Sequence, residues 1–419
     1  MVAPKRLTVV GNGMVGHHFL ARLIDEGHAR DWHVTTFCEE PRLAYDRTNL
    51  SAYFSGTTAA ELSLVKPGQY SEAGISVHLG DKVVAIDRRA RTVTSWRGHT
   101  IGYDKLVFAT GAASLVPTVA GSRAPGCFPY RTLADLDAIR SHATAARVGV
   151  VVGGDLPGLE AASALQQLGL RVHVVEAASR LLPRLLDDAG GALLRARIEA
   201  RGVAVQTGKT TFAVLTDDDD CAAGLRFSDG SLLSADLVVF ANGVHARDEL
   251  ARAGGLLVGA YGGIVIDERC RTSDPDIFAI GDCALFGDRG FELVQPGYEM
   301  AEVAVDVIAG ADGRRFGGGA GGGDAGVRVR VLGVEVASFG DAFATTARAR
   351  VISFFDGSTA GVYKKLVLSD DGERLLGGVL VGDAGGYERL RGLVVGGGGM
   401  PEHPEELILP LRVGGREAA

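Results

Sequence analysis

The sequence predicts an α/β protein built from two Rossmann-like domains, with a small α+β domain following them. Three observations carry this prediction. A strand, a glycine loop, a helix, a second strand and an acid follow one another at the N-terminus, and a near repeat of that order begins at Val148. The third observation is size: 419 residues allow two to three domains of roughly 150 residues each. A 46% apolar share with only 13 prolines suits folded cores rather than a collagen-like or disordered chain.

In the first unit, residues 7–10 form an apolar run that reads as a buried parallel strand. It feeds Gly11-Asn12-Gly13-Met14-Val15-Gly16, after which Val15, Phe19, Leu20, Leu23 and Ile24 keep helical spacing. A second strand over 33–37 ends at Cys38-Glu39-Glu40, close to the ~20 residues beyond the loop where a ribose-binding acid is expected. Gly11 permits the tight turn, Gly13 lets a pyrophosphate approach the backbone, and Gly16 allows close packing of helix on strand. The free N–H groups and dipole of the helix N-terminus then favour a phosphate. Glu39, or its neighbour Glu40, would accept hydrogen bonds from the ribose hydroxyls.

The second unit runs from the apolar stretch 148–152 through Gly153-Gly154-Asp155-Leu156-Pro157-Gly158 into a helix carrying Leu159, Ala162, Leu165 and Leu168. A strand over 171–175 follows and ends at Glu176, at the spacing of a second ribose acid. Two such units imply two dinucleotides. Here the middle glycine of the loop is replaced by Asp155. A carboxylate facing a pyrophosphate at ~4 Å costs about 4 kcal/mol at an effective dielectric of ~20, unless it turns to solvent. Pro157 falls in the first helical turn, where a missing N–H is tolerated. Glu176 suits the free 2′-hydroxyl of NADH, although Arg171 and Arg180 lie nearby in sequence.

The remaining composition narrows the function. A formal net charge of −8 argues against a general nucleic-acid binder. The five cysteines (Cys38, Cys127, Cys221, Cys270, Cys283) lie far apart, without a C-x-x-C pair. A disulfide framework, a zinc site and an iron–sulfur cluster all lose their usual spacing, and no metal site is expected. His17 and His18 are adjacent on a helix, so they point about 100° apart and cannot share one ion. Asp217 to Asp220 reads as a solvated hairpin tip. No signal-peptide core precedes the first strand and no stretch has the length and apolarity of a membrane span, so a cytoplasmic protein is expected. The 60 glycines, about twice the usual ~7%, divide between these loops and two runs near 317–326 and 396–399 that read as flexible.

Further segments carry a resemblance. Tyr103-Asp104-Lys105-Leu106-Val107-Phe108-Ala109-Thr110-Gly111 resembles the strand and A-T-G turn that closes over FAD in two-dinucleotide flavoproteins. Thr272-Ser273-Asp274-Pro275-Asp276-Ile277-Phe278-Ala279-Ile280-Gly281-Asp282 resembles their second flavin fingerprint. Glu39-Glu40-Pro41, with Leu43-Ala44-Tyr45-Asp46-Arg47, is similar to the ferredoxin and rubredoxin reductases. Tyr130-Arg131-Thr132-Leu133, Pro296-Gly297-Tyr298-Glu299-Met300 and Val362-Tyr363-Lys364-Lys365-Leu366 look like the amino-terminal flavoprotein part of the NAD(P)H nitrite reductase large subunit.

The resemblance implies FAD and NADH as cofactors. It places Arg47, Ala109, Thr110, Gly111, Arg131, Gly281, Asp282, Gly297 and Tyr298 against FAD, with the Val83 backbone at the adenine. Gly153, Gly154, Asp155, Gly158, Glu176 and Gly243 would then serve the nicotinamide dinucleotide, and Glu160 would stand near the nicotinamide or be an ordinary helix-surface acid. It further implies a discontinuous FAD domain (1–115 and 240–315), an inserted NAD(P) domain (116–239), a glycine-rich linker (316–326), an interface domain (327–400) that supports homodimers, and a tail (401–419). In that last region, strands are predicted over 327–336, 362–368 and 375–381, with a helix over 387–395. A helix is also predicted to open at Pro296.

Two departures matter. The nitrite reductase large subunit continues into cysteine-rich iron–sulfur and sirohaem domains, whose cysteines are absent from residues 1–419. The turn Ala241-Asn242-Gly243-Val244-His245-Ala246 also lacks the family's proline. The expectation is therefore a stand-alone FAD-dependent reductase that takes hydride from NADH and passes electrons to a separate acceptor. That acceptor would be an iron–sulfur protein, a nitrite-reductase-like partner or a small molecule. The alternative is a flavoenzyme acting directly on a small-molecule substrate with a weakened nicotinamide site; a third class is a flavin-bearing protein without turnover. Disulfide-reductase chemistry is set aside because no redox cysteine pair exists.

Overall fold

A computed structural model describes residues 5–291, 293–311, 313–318, 326–357 and 361–409. The chain divides into two compact units. The first comprises Met1–Ser114, Arg131–Leu133 and Val244–Gly319; the second comprises Leu115–Tyr130, Ala134–Gly243 and Ala320–Ala419.

A five-stranded parallel sheet organises the first unit, in the order Ile277–Ala279, Lys105–Phe108, Lys5–Val10, Trp32–Cys38, Ser76–Leu79. Strands covered on both faces must be apolar throughout, and Leu7, Val9, Leu106, Val107, Phe108 and Phe278 are fully buried. The helix Met14–Asp25 contributes Phe19, Leu20 and Leu23 to this core, and the helix Val294–Ala309 contributes Met300, Ala301 and Ala304. From Lys5–Val10 the sheet grows in both directions, so the ends of adjacent strands open a crevice beyond Val10. A small antiparallel sheet of Val83–Asp87, Thr92–Ser95 and Thr100–Gly102 is added to this unit.

The second unit repeats the parallel plan in the order Ala204–Thr207, Arg171–Glu176, Val148–Val152, Leu237–Phe240, Cys127–Pro129. A three-stranded antiparallel layer begins with Thr211–Thr216 and Ala222–Phe227, and Asp217 to Asp220 are exposed at its tip. The C-terminal part is a five-stranded antiparallel sheet, Val327–Val331, Val334–Gly340, Leu375–Val381, Val362–Leu368, Arg350–Asp356, followed by the helix Tyr387–Gly396.

Three features differ from the sequence reading. The single strand predicted over 327–336 is two strands turning at Leu332-Gly333, both with positive φ (46° and 74°). Arg350–Asp356 is an unforeseen edge strand. The helix predicted to open at Pro296 starts at Val294, with Pro296 inside its first turn. Most of the glycine linker (residues 319–325) and the end of the tail (410–419) lie outside the described residues.

Candidate functional site

In the first unit, the loop after Lys5–Val10 is held by backbone geometry that only glycine supplies. Gly11 sits at φ +111°, and a Cβ there would run into the Ala109 carbonyl. Gly13 faces open space, with nothing within 4 Å of a Cβ, while a Cβ on Gly16 would strike the Gly11 carbonyl. Met14 begins the helix. Neither a side-chain cap nor a first-turn acid satisfies its leading N–H groups. Val15 is wedged between Gly281 and Gly297: a Cβ on Gly297 would come within 2.6 Å of Val15 Cγ2 and 3.2 Å of Gly281 Cα. The start of the helix Val294–Ala309 is thereby fixed beside the start of Met14–Asp25, and it too lacks a side-chain cap and a first-turn acid.

Charged residues surround this junction. Arg131 Nη2 donates to Asp282 Oδ2 at 2.8 Å, and burial depresses the guanidinium pKa despite that carboxylate. Arg47 donates to the Arg131 carbonyl at 3.4 Å and pairs with Glu40, whose carboxylate also accepts from the Tyr45 hydroxyl at 2.8 Å. Glu40 is thus occupied within the protein. Glu39 stands at the end of Trp32–Cys38 with a 42% exposed side chain, paired with Arg247 and with Lys82 at 3.3 Å. Burial opposes its charge, but Arg247 and Lys82 hold its carboxyl below the usual range. The Thr110 hydroxyl donates to the Arg247 carbonyl at 2.7 Å, and the Arg247 N–H to Gly111 at 2.9 Å, so the turn Ala109-Thr110-Gly111 positions Arg247. Val83 is buried at the start of its strand, opposite Ser95. Tyr298 stacks on His18 with centroids 4.3 Å apart. His17 instead bonds the Tyr70 hydroxyl at 2.8 Å, so the adjacent histidines do point to different partners.

The second unit repeats the loop. A Cβ on Gly153 (φ +124°) would meet the Ala241 carbonyl, and one on Gly158 the Gly153 carbonyl. Glu176 folds back onto this loop, accepting from Gly154 N–H and Ala178 N–H at 2.6 Å each. Asp155 is the N-cap of Leu156–Gln167, yet its side chain makes no cap bond and reaches Arg184 Nη2 at 3.4 Å. Arg180 is turned to the Leu186 and Pro183 carbonyls and to Asp188. Glu160 is half-buried on the same helix, and burial, then the Glu160 charge, push the Tyr130 phenol up. Gly243 (φ +110°) closes its turn by accepting from Leu115 N–H at 2.9 Å. Sequence reasoning missed Arg184, Arg247 and Lys82; opposite charge is their only signal, and the fold alone brings the first two to their acids.

The cysteines are free among the described residues, and burial raises the Cys38 thiol to about 11, as it does that of Cys127. Neither carries a thiolate at neutral pH.

A family model for pyridine nucleotide-disulphide oxidoreductases matches residues 5–306. The chain belongs to the pyridine nucleotide-disulphide oxidoreductase family. As a member, this oxidoreductase is 47% identical over 409 residues to the nitrite reductase (NADH) large subunit of Escherichia coli K12, covering 98% of this chain and 48% of that protein. It is 32% identical over 390 residues to the assimilatory nitrate reductase electron transfer subunit of Bacillus subtilis 168, covering 92% of this chain and 48% of the other. A ferredoxin reductase from Rhodopseudomonas palustris superposes with a TM-score of 0.80 at 27% identity, covering 96% of this chain and 97% of that one. The chain spans about half the length of the nitrite and nitrate reductase subunits it matches. Its two parallel sheets, each entered through a glycine loop, are the two Rossmann-type folds of that family. Among the described residues, no helix is long and apolar enough to cross a membrane.

Proposed function

We propose that the chain takes hydride from NADH onto FAD and passes electrons to an acceptor outside these 419 residues, an iron–sulfur protein or a nitrite-reductase-like partner. One observation supports the assignment of sites most strongly. The helices opening at the proposed cofactor loops, Met14–Asp25, Leu156–Gln167 and Val294–Ala309, leave their first-turn N–H groups without side-chain caps or first-turn acids. The helix Asp188–Glu199, away from those loops, is capped by Asp187. Uncapped helix starts beside a glycine loop are where dinucleotide phosphates bind.

FAD would be held by Gly11, Gly13, Met14, Val15 and Gly16 at its pyrophosphate, Glu39 at its adenosine ribose and the Val83 backbone at its adenine. Ala109, Thr110, Gly111, Arg47, Arg131, Gly281 and Asp282 would line it further along. Gly297 and Tyr298 would bring the N–H groups of Val294–Ala309 to the ring edge that gains negative charge on reduction. Bound FAD supplies a two-electron acceptor that can release electrons onward. We assign Gly153, Gly154, Asp155, Gly158, Glu176 and Gly243 to NADH, with Glu160 near the nicotinamide. The FAD domain is read as 1–115 with 240–315 and the NAD domain as 116–239. The edge strand Arg350–Asp356, with Val351 and Phe355 exposed, is the surface assigned to a homodimer. Free cysteines fit a reducing cytoplasm.

Glu176 supports NADH over NADPH, because a 2′-phosphate would face its carboxylate while Arg180 is engaged elsewhere. Asp155 loses its force as a sign of a weakened site, since Arg184 offsets its charge. Steady-state reduction of ferricyanide tests both points. NADH should be preferred at least about tenfold in kcat/KM, and Arg184→Ala should raise the NADH KM about three- to tenfold by exposing the Asp155 charge. Asp155→Gly in the Arg184→Ala background should recover most of that loss. Preference for NADPH, or an Arg184→Ala effect that Asp155→Gly leaves untouched, contradicts the assignment.

A further inference from the structure

The strand Ser76–Leu79, the loop after it and the turn before Thr100–Gly102 bring His78, Asp81 and His99 together. Their candidate ligand atoms all lie within 4.8 Å of one another. Asp81 is 1% exposed, a buried carboxylate whose charged partners among the described residues are these histidines. Its Oδ2 lies 2.7 Å from His99 Nδ1 and 3.9 Å from His78 Nδ1, and its Oδ1 accepts from Arg97 N–H at 3.4 Å.

The scaffold under this trio is fixed. The His78 ring stacks on Phe37 at 4.6 Å and an interplanar angle of 16°. Gly80 N–H and Asp81 N–H donate to the Glu40 and Cys38 carbonyls at 3.0 and 2.9 Å. The opposing turn is latched to the same loop, with Trp96 N–H donating to the Lys82 carbonyl at 2.8 Å and the Trp96 indole to Gly80 at 3.2 Å. His99 is the adjustable member, with a 49% exposed side chain.

We propose that His78, Asp81 and His99 form a binding site for a zinc-class divalent transition-metal ion. Two imidazoles and one carboxylate match the ligand preference of zinc and its neighbours rather than that of calcium or magnesium. Bonds of ~2.0–2.1 Å to a tetrahedral ion put ligand atoms about 3.3 Å apart, so the trio closes onto a metal by a modest turn of His99. The solvent side leaves a fourth position for water. Binding replaces the hydrogen bond between His99 Nδ1 and Asp81 with bonds from both to the metal, the ring N–H then standing on His99 Nε2. The ion would tie the three-stranded sheet to the end of the parallel sheet, one residue from Lys82 and its partner Glu39. The sequence reading expected no metal from the cysteine spacing and the adjacent His17 and His18; His78 and Asp81 are three residues apart, but His99 joins them only through the fold.

The test uses the full flavin-loaded protein and Zn²⁺ alone, by titration calorimetry at neutral pH. One zinc per chain should bind in the micromolar range or tighter, and His99→Ala and His78→Ala should each weaken it at least about tenfold. Without zinc, His99→Ala should melt somewhat below the parent, because Asp81 loses its 2.7 Å partner, and it should lose the zinc-dependent rise in Tm that the parent shows. Co²⁺ in the parent should give visible d–d bands without a thiolate charge-transfer band. No saturable zinc binding, unchanged affinity in His99→Ala, or a thiolate band would each overturn the site.

Discussion

Glu176 shows how much chemistry one side chain concentrates. It accepts two backbone N–H groups of its own loop, and the same carboxylate would face a ribose. Hydrogen bonds to a charged group contribute roughly 1.5–3 kcal/mol each. Glu176→Ala should therefore lower kcat/KM for NADH by about 10- to 100-fold and that for NADPH by less, compressing the preference. Equal losses for both nucleotides would make Glu176 a loop brace only. The residue types at both loops were legible in the sequence, because turn, approach and packing each demand glycine at a fixed offset. Their charged neighbours were not. Arg247 reaches Glu39 and Arg131 reaches Asp282 across more than a hundred residues, and no local pattern encodes such pairs.

Asp187 decides how an element is held. It caps Asp188–Glu199 through Gly190 N–H at 3.0 Å, and its other oxygen accepts from the Tyr363 hydroxyl and Lys365 Nζ, both at 2.8 Å. Lys365 is 7% exposed, so removing its counter-charge leaves a buried ammonium. Asp187→Ala should cost about 3–5 kcal/mol, read from denaturant melts. Burial opposes ionisation of Asp187, but Lys365, Gly190 N–H and Tyr363 hold its carboxyl below the ordinary range. A depressed folded pKa gives stability that is present above the unfolded value of ~3.9 and is lost as pH falls through the lower folded value. The gap between parent and Asp187→Ala should accordingly be full at neutral pH and narrow below about pH 4. A gap that widens in acid would contradict this. Strands with unbroken apolar runs, such as Val148–Val152, could be placed from sequence. The hairpin at Leu332-Gly333 was missed because valines on both sides hide the turn, and Arg350–Asp356 because its residue types do not alternate between apolar and polar although its exposure does from Val351 on.

At the scale of the molecule, two glycine fingerprints were enough to read two parallel sheets, since each fingerprint demands a strand before it and a helix after it. The grouping of the C-terminal antiparallel sheet with the second unit was not legible. It depends on contacts such as Asp187 with Tyr363 and Lys365, and Arg197 with the Gly361 carbonyl at 2.8 Å. In the proposed function the flavin is the redox centre between NADH and the acceptor, and the buried, strongly basic Cys38 thiol takes no part. Anaerobic mixing of the purified flavoprotein with NADH tests that claim most directly. The visible flavin band should bleach rapidly at NADH concentrations in the micromolar range. A band that persists in millimolar NADH, while dithionite still reduces it, would contradict the account.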